Sequence, residues 1–128
     1  MTDSNGEWAN RLREIYPWLP EEVYCGSGWA KLIEDLCKKI QKFLNAHDDY
    51  CREFCVTQCK EKYGHFMFYA FPELDEIELL IDDASMTAAF TCEVCGSPGR
   101  IGSEGWVVVL CDECREQRPH KKKVQASR

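Results

Sequence analysis

Long apolar runs are missing from this chain. The longest, Phe66-Met-Phe-Tyr-Ala-Phe71, is far short of the about 20 residues a membrane-spanning helix requires. The first residues, Met-Thr-Asp-Ser-Asn-Gly-Glu, are polar and acidic, and no apolar stretch of the secretory-signal kind follows them. Histidine is scarce: none of His47, His65 and His120 has a glutamate two positions on, and Cys92 follows a threonine. The His-x-Glu and Pro-Cys-x-x-Cys signature of a zinc deaminase is therefore absent. No histidine is singled out as the base for a cysteine nucleophile either. Gly26-Ser-Gly28 stands before a helix but lacks the lysine and the leading strand of a phosphate-binding loop, so it reads as a turn. With no catalytic constellation in view, the expectation is a protein that is not an enzyme.

Positive charge is also thin over most of the chain. Residues 1–91 hold nine basic and seventeen acidic side chains, whereas residues 92–128 hold seven and five, within a formal net charge of −6. An acidic body argues against generic, phosphate-led binding of nucleic acid. The cations that exist gather late, in Arg115-Glu-Gln-Arg-Pro-His-Lys-Lys-Lys-Val-Gln-Ala-Ser-Arg128, which lacks apolar anchors and is expected to be a disordered tail over residues 118–128.

What the chain has in abundance is cysteine, nine in 128 residues. Four of them form two pairs, Cys92-Glu-Val-Cys95 and Cys111-Asp-Glu-Cys114, with fifteen residues between. That is the spacing of a structural zinc site. Four thiolates at about 2.3 Å complete a tetrahedron and leave no open position, so such a metal holds structure and does no chemistry. Gly96 suits the turn after the first pair, Pro98, Gly99, Gly102 and Gly105 mark a loop, and Trp106-Val-Val-Val-Leu110 reads as the strand that delivers the second pair. The expectation is a zinc ribbon over residues 91–117, with Cys92, Cys95, Cys111 and Cys114 on one structural Zn²⁺; disulfides or free thiols are the alternative. Reduced thiols with zinc and no export signal point to the cytosol.

Apolar residues make up 45% of the chain, enough for a core that the metal supplements. Trp8, Leu12 and Ile15 are spaced for a helix over about residues 5 to 15, ended by Pro17 and Pro20, and Tyr-Pro-Trp-Leu-Pro then reads as an aromatic cap over the core. Ser27 is placed to cap a second helix, in which Trp29, Leu32, Ile33, Leu36, Cys37, Ile40, Phe43 and Leu44 share one face to about His47. A third helix is expected over about 49 to 62, with Cys51, Cys55 and Cys59 on nearly one face and Gly64 closing it. Those thiols, with Cys25 and Cys37, read as small buried hydrophobes. A bridge between residues four apart is disfavoured by Cβ separation, and no ligand spacing supports a second metal there. His65–Phe71 is a strand, apolar on both faces, that is either covered twice or shows aromatics to a partner. A last helix runs from Leu74 to about Phe90, with Ile77, Leu80, Ile81, Ala84 and Ala88 inward. The fold class is thus α+β: three to four helices over residues 1–90, a short aromatic strand, and the ribbon packed on them.

Lys60-Glu-Lys-Tyr-Gly64 before an aromatic strand, then Cys92-Glu-Val-Cys-Gly-Ser-Pro-Gly99, Gly105-Trp106 and Leu110-Cys-Asp-Glu-Cys114, resembles a group of small phage and prophage proteins with a C-terminal zinc knuckle. The Cys25-Gly-Ser-Gly-Trp29-Ala-Lys-Leu-Ile helix fits the same pattern, and the likeness spans roughly residues 16 to 114. In that group the last ligand is often a histidine; here it is Cys114. The resemblance implies the cytosol of a bacterial host and supplies no catalytic residue. It implies an accessory or regulatory protein that binds a host or phage protein, an inhibitor of a host nuclease or CRISPR-type defence complex being one concrete form. The acidic residues Glu73, Asp75, Glu76, Glu78, Asp82 and Asp83 are the candidates to meet such a partner. The alternative is a nucleic-acid-binding regulator that sets Arg100, Arg115, Arg118, Lys121, Lys122 and Lys123 on phosphates.

Overall fold

A computed structural model of the chain describes residues 7–102 and 107–117, without the side chains of Tyr50 and Cys51. The architecture is mixed helix and sheet. Helix α1 (Glu7–Ile15) is followed by a 3₁₀ turn at Ser27–Trp29 and the long α2 (Ala30–Ala46). A single turn, α3 (Asp48–Cys51), leads into a hairpin of β1 (Cys55–Lys62) and β2 (His65–Phe71). Helix α4 (Asp75–Ala88) then precedes a second small antiparallel pair, β3 (Arg100–Ile101) and β4 (Val109–Leu110), and a short α5 (Asp112–Glu116).

The amphipathic helices form where the 3.6-residue period predicts them. Leu32, Ile33, Leu36, Cys37, Ile40 and Leu44 of α2 are buried, and Ile77, Ile81 and Ala88 of α4 face them, with Leu80 and Ala84 half-buried alongside. Ion pairs Lys31–Asp35 and Lys38–Glu34 decorate the solvent side of α2 and contribute little. Two local expectations change. Ser27 opens the 3₁₀ turn without a side-chain capping bond, and Ile15 at the end of α1 is exposed. The aromatic connector is a cap over the core: Tyr16 and Leu19 are buried, and Trp18 meets Phe54 edge-on with ring centroids 5.2 Å apart. The Trp18 indole N–H donates to Gln41 Oε1 of α2 at 2.9 Å.

The helix expected over 49 to 62 is a correction. Only Asp48–Cys51 is helical, and Cys55–Lys62 is a strand paired antiparallel with β2, from Cys55↔Phe71 to Lys62↔His65. The recurrence of Cys51, Cys55 and Cys59 every four residues imitates a helix in sequence. In the strand, an extra residue between Val56 and Gln58 leaves Val56 and Cys59 as its buried positions. Pairing with an apolar, aromatic neighbour then overrides helical propensity. Cys55 is accordingly exposed and Cys59 buried, not on one shared helix face. Gly64 does not close a helix. It forms a two-residue hairpin turn with Tyr63, both at positive φ (81° and 54°), the geometry that matches strand twist.

Strand β2 is covered on one face only. Phe66, Phe68 and Ala70 are buried under α4, while Tyr69 and Phe71 on the other side are exposed. Trp29, fully buried, meets Phe66 edge-on at 5.7 Å and joins α2 to the hairpin. Residues before α2 run along the outer edge of β1: Tyr24 bridges to Lys60, its N–H donating to the Cys59 carbonyl and its own carbonyl accepting from Glu61. No helix among the described residues is long and apolar enough to cross a membrane.

Candidate metal centre

The four cysteines picked out by spacing come together. The Sγ atoms of Cys92, Cys95, Cys111 and Cys114 all lie within 4.8 Å of one another. Cys95 Sγ and Cys111 Sγ are 3.7 Å apart. A tetrahedron with metal–sulfur bonds of about 2.3 Å has edges of about 3.8 Å, so the cluster has the size such an ion needs.

Each pair is shaped by its own local structure. In the first, the Gly96 N–H donates to the Cys92 carbonyl at 2.9 Å, and Gly96 takes φ +87°, where a side chain would be strained. The Cys92 N–H in turn donates to the Ser97 carbonyl, closing the loop on itself. In the second, Cys111 is the N-cap of α5, and its Sγ accepts the Cys114 N–H at 3.4 Å. Strand β4 holds the two together, because the Glu93 N–H donates to the Val109 carbonyl at 2.9 Å. Cys92 is fully buried and Cys95 exposed, so the cluster is reached from one side. Hydrogen bonds from the side chain and backbone of Ser97 pull the Cys95 thiol down to about 6, whereas burial pushes Cys114 up.

The cluster is anchored to the helical body by residues that spacing did not single out. Gly28 N–H donates to the Glu93 carbonyl at 2.7 Å, Gly26 N–H donates to Glu93 Oε2 at 2.9 Å, and the Trp29 indole N–H donates to the Thr91 carbonyl at 2.9 Å. A Cβ on Gly28 would overlap the carbonyl of Cys92, and one on Gly26 would overlap that of Glu93. The Gly-Ser-Gly turn is therefore a seat for the first knuckle. Its sequence signal was the pair of glycines immediately before a helix, which a plain turn does not require.

Of the basic candidates, Arg100 pairs with Asp112 at 3.2 Å. The Arg115 guanidinium donates to the carbonyls of Arg100 (2.7 Å) and Leu110 (3.2 Å), so it braces the β3–β4 pair. Arg118, Lys121, Lys122 and Lys123, like Gly105 and Trp106, lie outside the described residues. The acidic candidates line up on and just before α4. Glu73, Asp75, Glu76, Asp82 and Asp83 are exposed, and Glu78 is half-buried, its carboxyl raised by burial and by repulsion from Glu73, Asp82 and Asp75. Among the described residues these carboxylates have no ion-pair partner. Of the five other cysteines, Cys25, Cys37 and Cys59 are held protonated chiefly by burial, and Cys51 lies outside the described side chains. Among the described residues, the Cys92–Cys114 cluster is the one group able to hold a metal ion.

These features define a mixed α+β protein built around a four-cysteine centre. Compared with known proteins, the chain matches no family model, no curated protein and no solved structure.

Proposed function

We propose that the protein is a zinc-stabilised, non-enzymatic binding protein that acts by protein–protein contact in the cytosol of a bacterial host, as a phage-type accessory or regulatory factor. Zinc is the metal of choice for four thiolates in a tetrahedron, and a closed sulfur set leaves it no position for substrate. The observation that carries the binding role is the row of carboxylates on α4 that have no ion-pair partners among the described residues, on a body that is net acidic overall. Such a surface suits a basic partner, and inhibition of a host nuclease or CRISPR-type complex is a form that needs no chemistry from this chain. The nucleic-acid alternative is weakened because Arg100 and Arg115 are engaged within the ribbon.

Elemental analysis of the purified chain, followed by size-exclusion of the protein mixed with bacterial lysate, tests the reading. One zinc per chain and a shifted, stoichiometric complex with a protein are expected. No metal, or a complex whose second component is nucleic acid, would overturn it.

A further inference from the structure

The solvent side of α4 is not uniformly polar. Leu79, Met86 and Phe90 are 64%, 68% and 69% exposed, the last in the turn that closes the helix. At about 100° per residue Leu79 and Met86 fall within roughly 20° of one another, directly opposite the Ile77, Ile81 and Ala88 side that enters the core, and Phe90 follows them in the turn just past the helix end. Leu79 and Met86 span about 10 Å of the helix, and Phe90 extends the seam beyond its end. Asp75 and Asp82 border it on one side, Glu76 and Asp83 on the other. No lysine or arginine occurs anywhere in residues 63–99. Lys39 of α2 shares the α2–α4 groove with Asp83, yet no ion pair joins them.

We propose that this face is the docking seam for a partner helix whose own apolar stripe is bordered by lysine or arginine. The inference rests on the binding role above and names the surface and the chemistry of what it binds. A large side chain at the centre of a solvent face is an anchor when it is part of a row, because a facing helix then buries the whole row at once. The two acidic borders dictate the charge of that helix and reject other occupants. Nucleic acid and anionic lipid are repelled. A second copy would bring two carboxylate-edged seams face to face. The chain's own residues 118–128 carry the right charge but offer only Val124 as a sizeable apolar side chain, too little to fill three positions.

The test is a nuclear magnetic resonance titration of the full chain with a synthetic amphipathic helix of about eighteen residues, leucines in line and lysines on both borders. Two control peptides accompany it, one with the same composition shuffled so that the leucines do not align, one with glutamates on the borders. Saturable shifts at Leu79, Met86 and Phe90 are expected with the first peptide alone. The Leu79→Ser/Met86→Ser variant, whose changes are exposed and whose fold a thermal melt checks, should weaken binding about tenfold or more. Asp82→Lys/Asp83→Lys should weaken it and flatten its salt dependence.

Equal binding of the shuffled peptide, or shifts that map to another face, would overturn the seam. So would a dimer of the wild-type chain that Met86→Ser dissolves, or α4 shifts on changing Lys121, Lys122 and Lys123 to Gln, since each names a different occupant. A lysate protein retained equally by wild type and Leu79→Ser/Met86→Ser leaves the binding role standing and sinks this docking face.

Discussion

The backbone N–H of Gly28 donates to the carbonyl of Glu93 at 2.7 Å. That bond makes the turn that launches α2 and the knuckle that carries Cys92 and Cys95 a single unit, although 65 positions separate them in the chain. A metal held by Cys92, Cys95, Cys111 and Cys114 would thereby be coupled to packing of the longest described helix, a coupling that can be measured.

Chelation should loosen more than the ribbon. Removing the metal, or substituting Cys111→Ser, is expected to lower the stability of the whole chain by several kcal/mol, as structural zinc does in small domains. Thermal unfolding followed by far-ultraviolet dichroism reads it. A wild-type melting temperature indifferent to strong chelator would contradict the role given to the cluster.

Gly28→Ala should cost about 1–3 kcal/mol, because the added methyl overlaps the Cys92 carbonyl and the knuckle must shift. The same substitution should reduce metal retention against a competing chelator. Urea unfolding and a chromogenic zinc assay on the same sample distinguish a strained seat from a harmless surface turn.

Trp29→Phe keeps most of the buried ring but deletes the N–H that satisfies the Thr91 carbonyl one residue before Cys92. A loss of about 1–3 kcal/mol is expected from the orphaned acceptor. Phe at this position should behave worse than the same change at Trp18, whose N–H partner, the Gln41 side chain, is half-exposed and open to water.

Alkaline pH should destabilise the fold through its buried thiols. Burial, with a smaller push from Glu34, raises Cys37 from an ordinary 9.0 to about 12. Between about pH 9 and 12 the unfolded chain loses this proton and the folded chain keeps it, so unfolding becomes easier as pH rises. Below pH 9 the contribution is constant. Comparing the stabilities of wild type and Cys37→Ala at pH 8 and pH 10.5 checks the sign: the wild type should fall more steeply.

Arg115→Ala should destabilise the ribbon and leave weak nucleic-acid retention unchanged. Its guanidinium donates to the Arg100 and Leu110 carbonyls, and their loss costs about 1–3 kcal/mol. A gel shift at low salt, run beside a thermal melt, separates bracing from phosphate contact.

Much of the design was open to reading from the residues. Cys92, Cys95, Cys111 and Cys114 announce themselves because a metal needs pairs of ligands on tight turns, and that demand is local. Helices α2 and α4 were legible because each buries one continuous stripe. Strand β1 was not, since Cys51, Cys55 and Cys59 recur every four residues and copy helical spacing, while its partner β2 is not visible locally. Arg100 and Arg115 read as free cations because nothing local reveals that a carboxylate at Asp112 and two backbone carbonyls lie within reach.

Residue spacing along the chain is enough to show which sulfurs can share an ion, which helices carry an apolar stripe, and where the charge is acidic. Each of these depends on spacing within one short segment. It took the folded arrangement to show that Gly26, Gly28 and Trp29 seat the first knuckle, that Cys55–Lys62 joins a hairpin, and that Leu79, Met86 and Phe90 are exposed. Those outcomes depend on which surfaces remain after distant segments have packed together, and a local pattern carries no record of that competition.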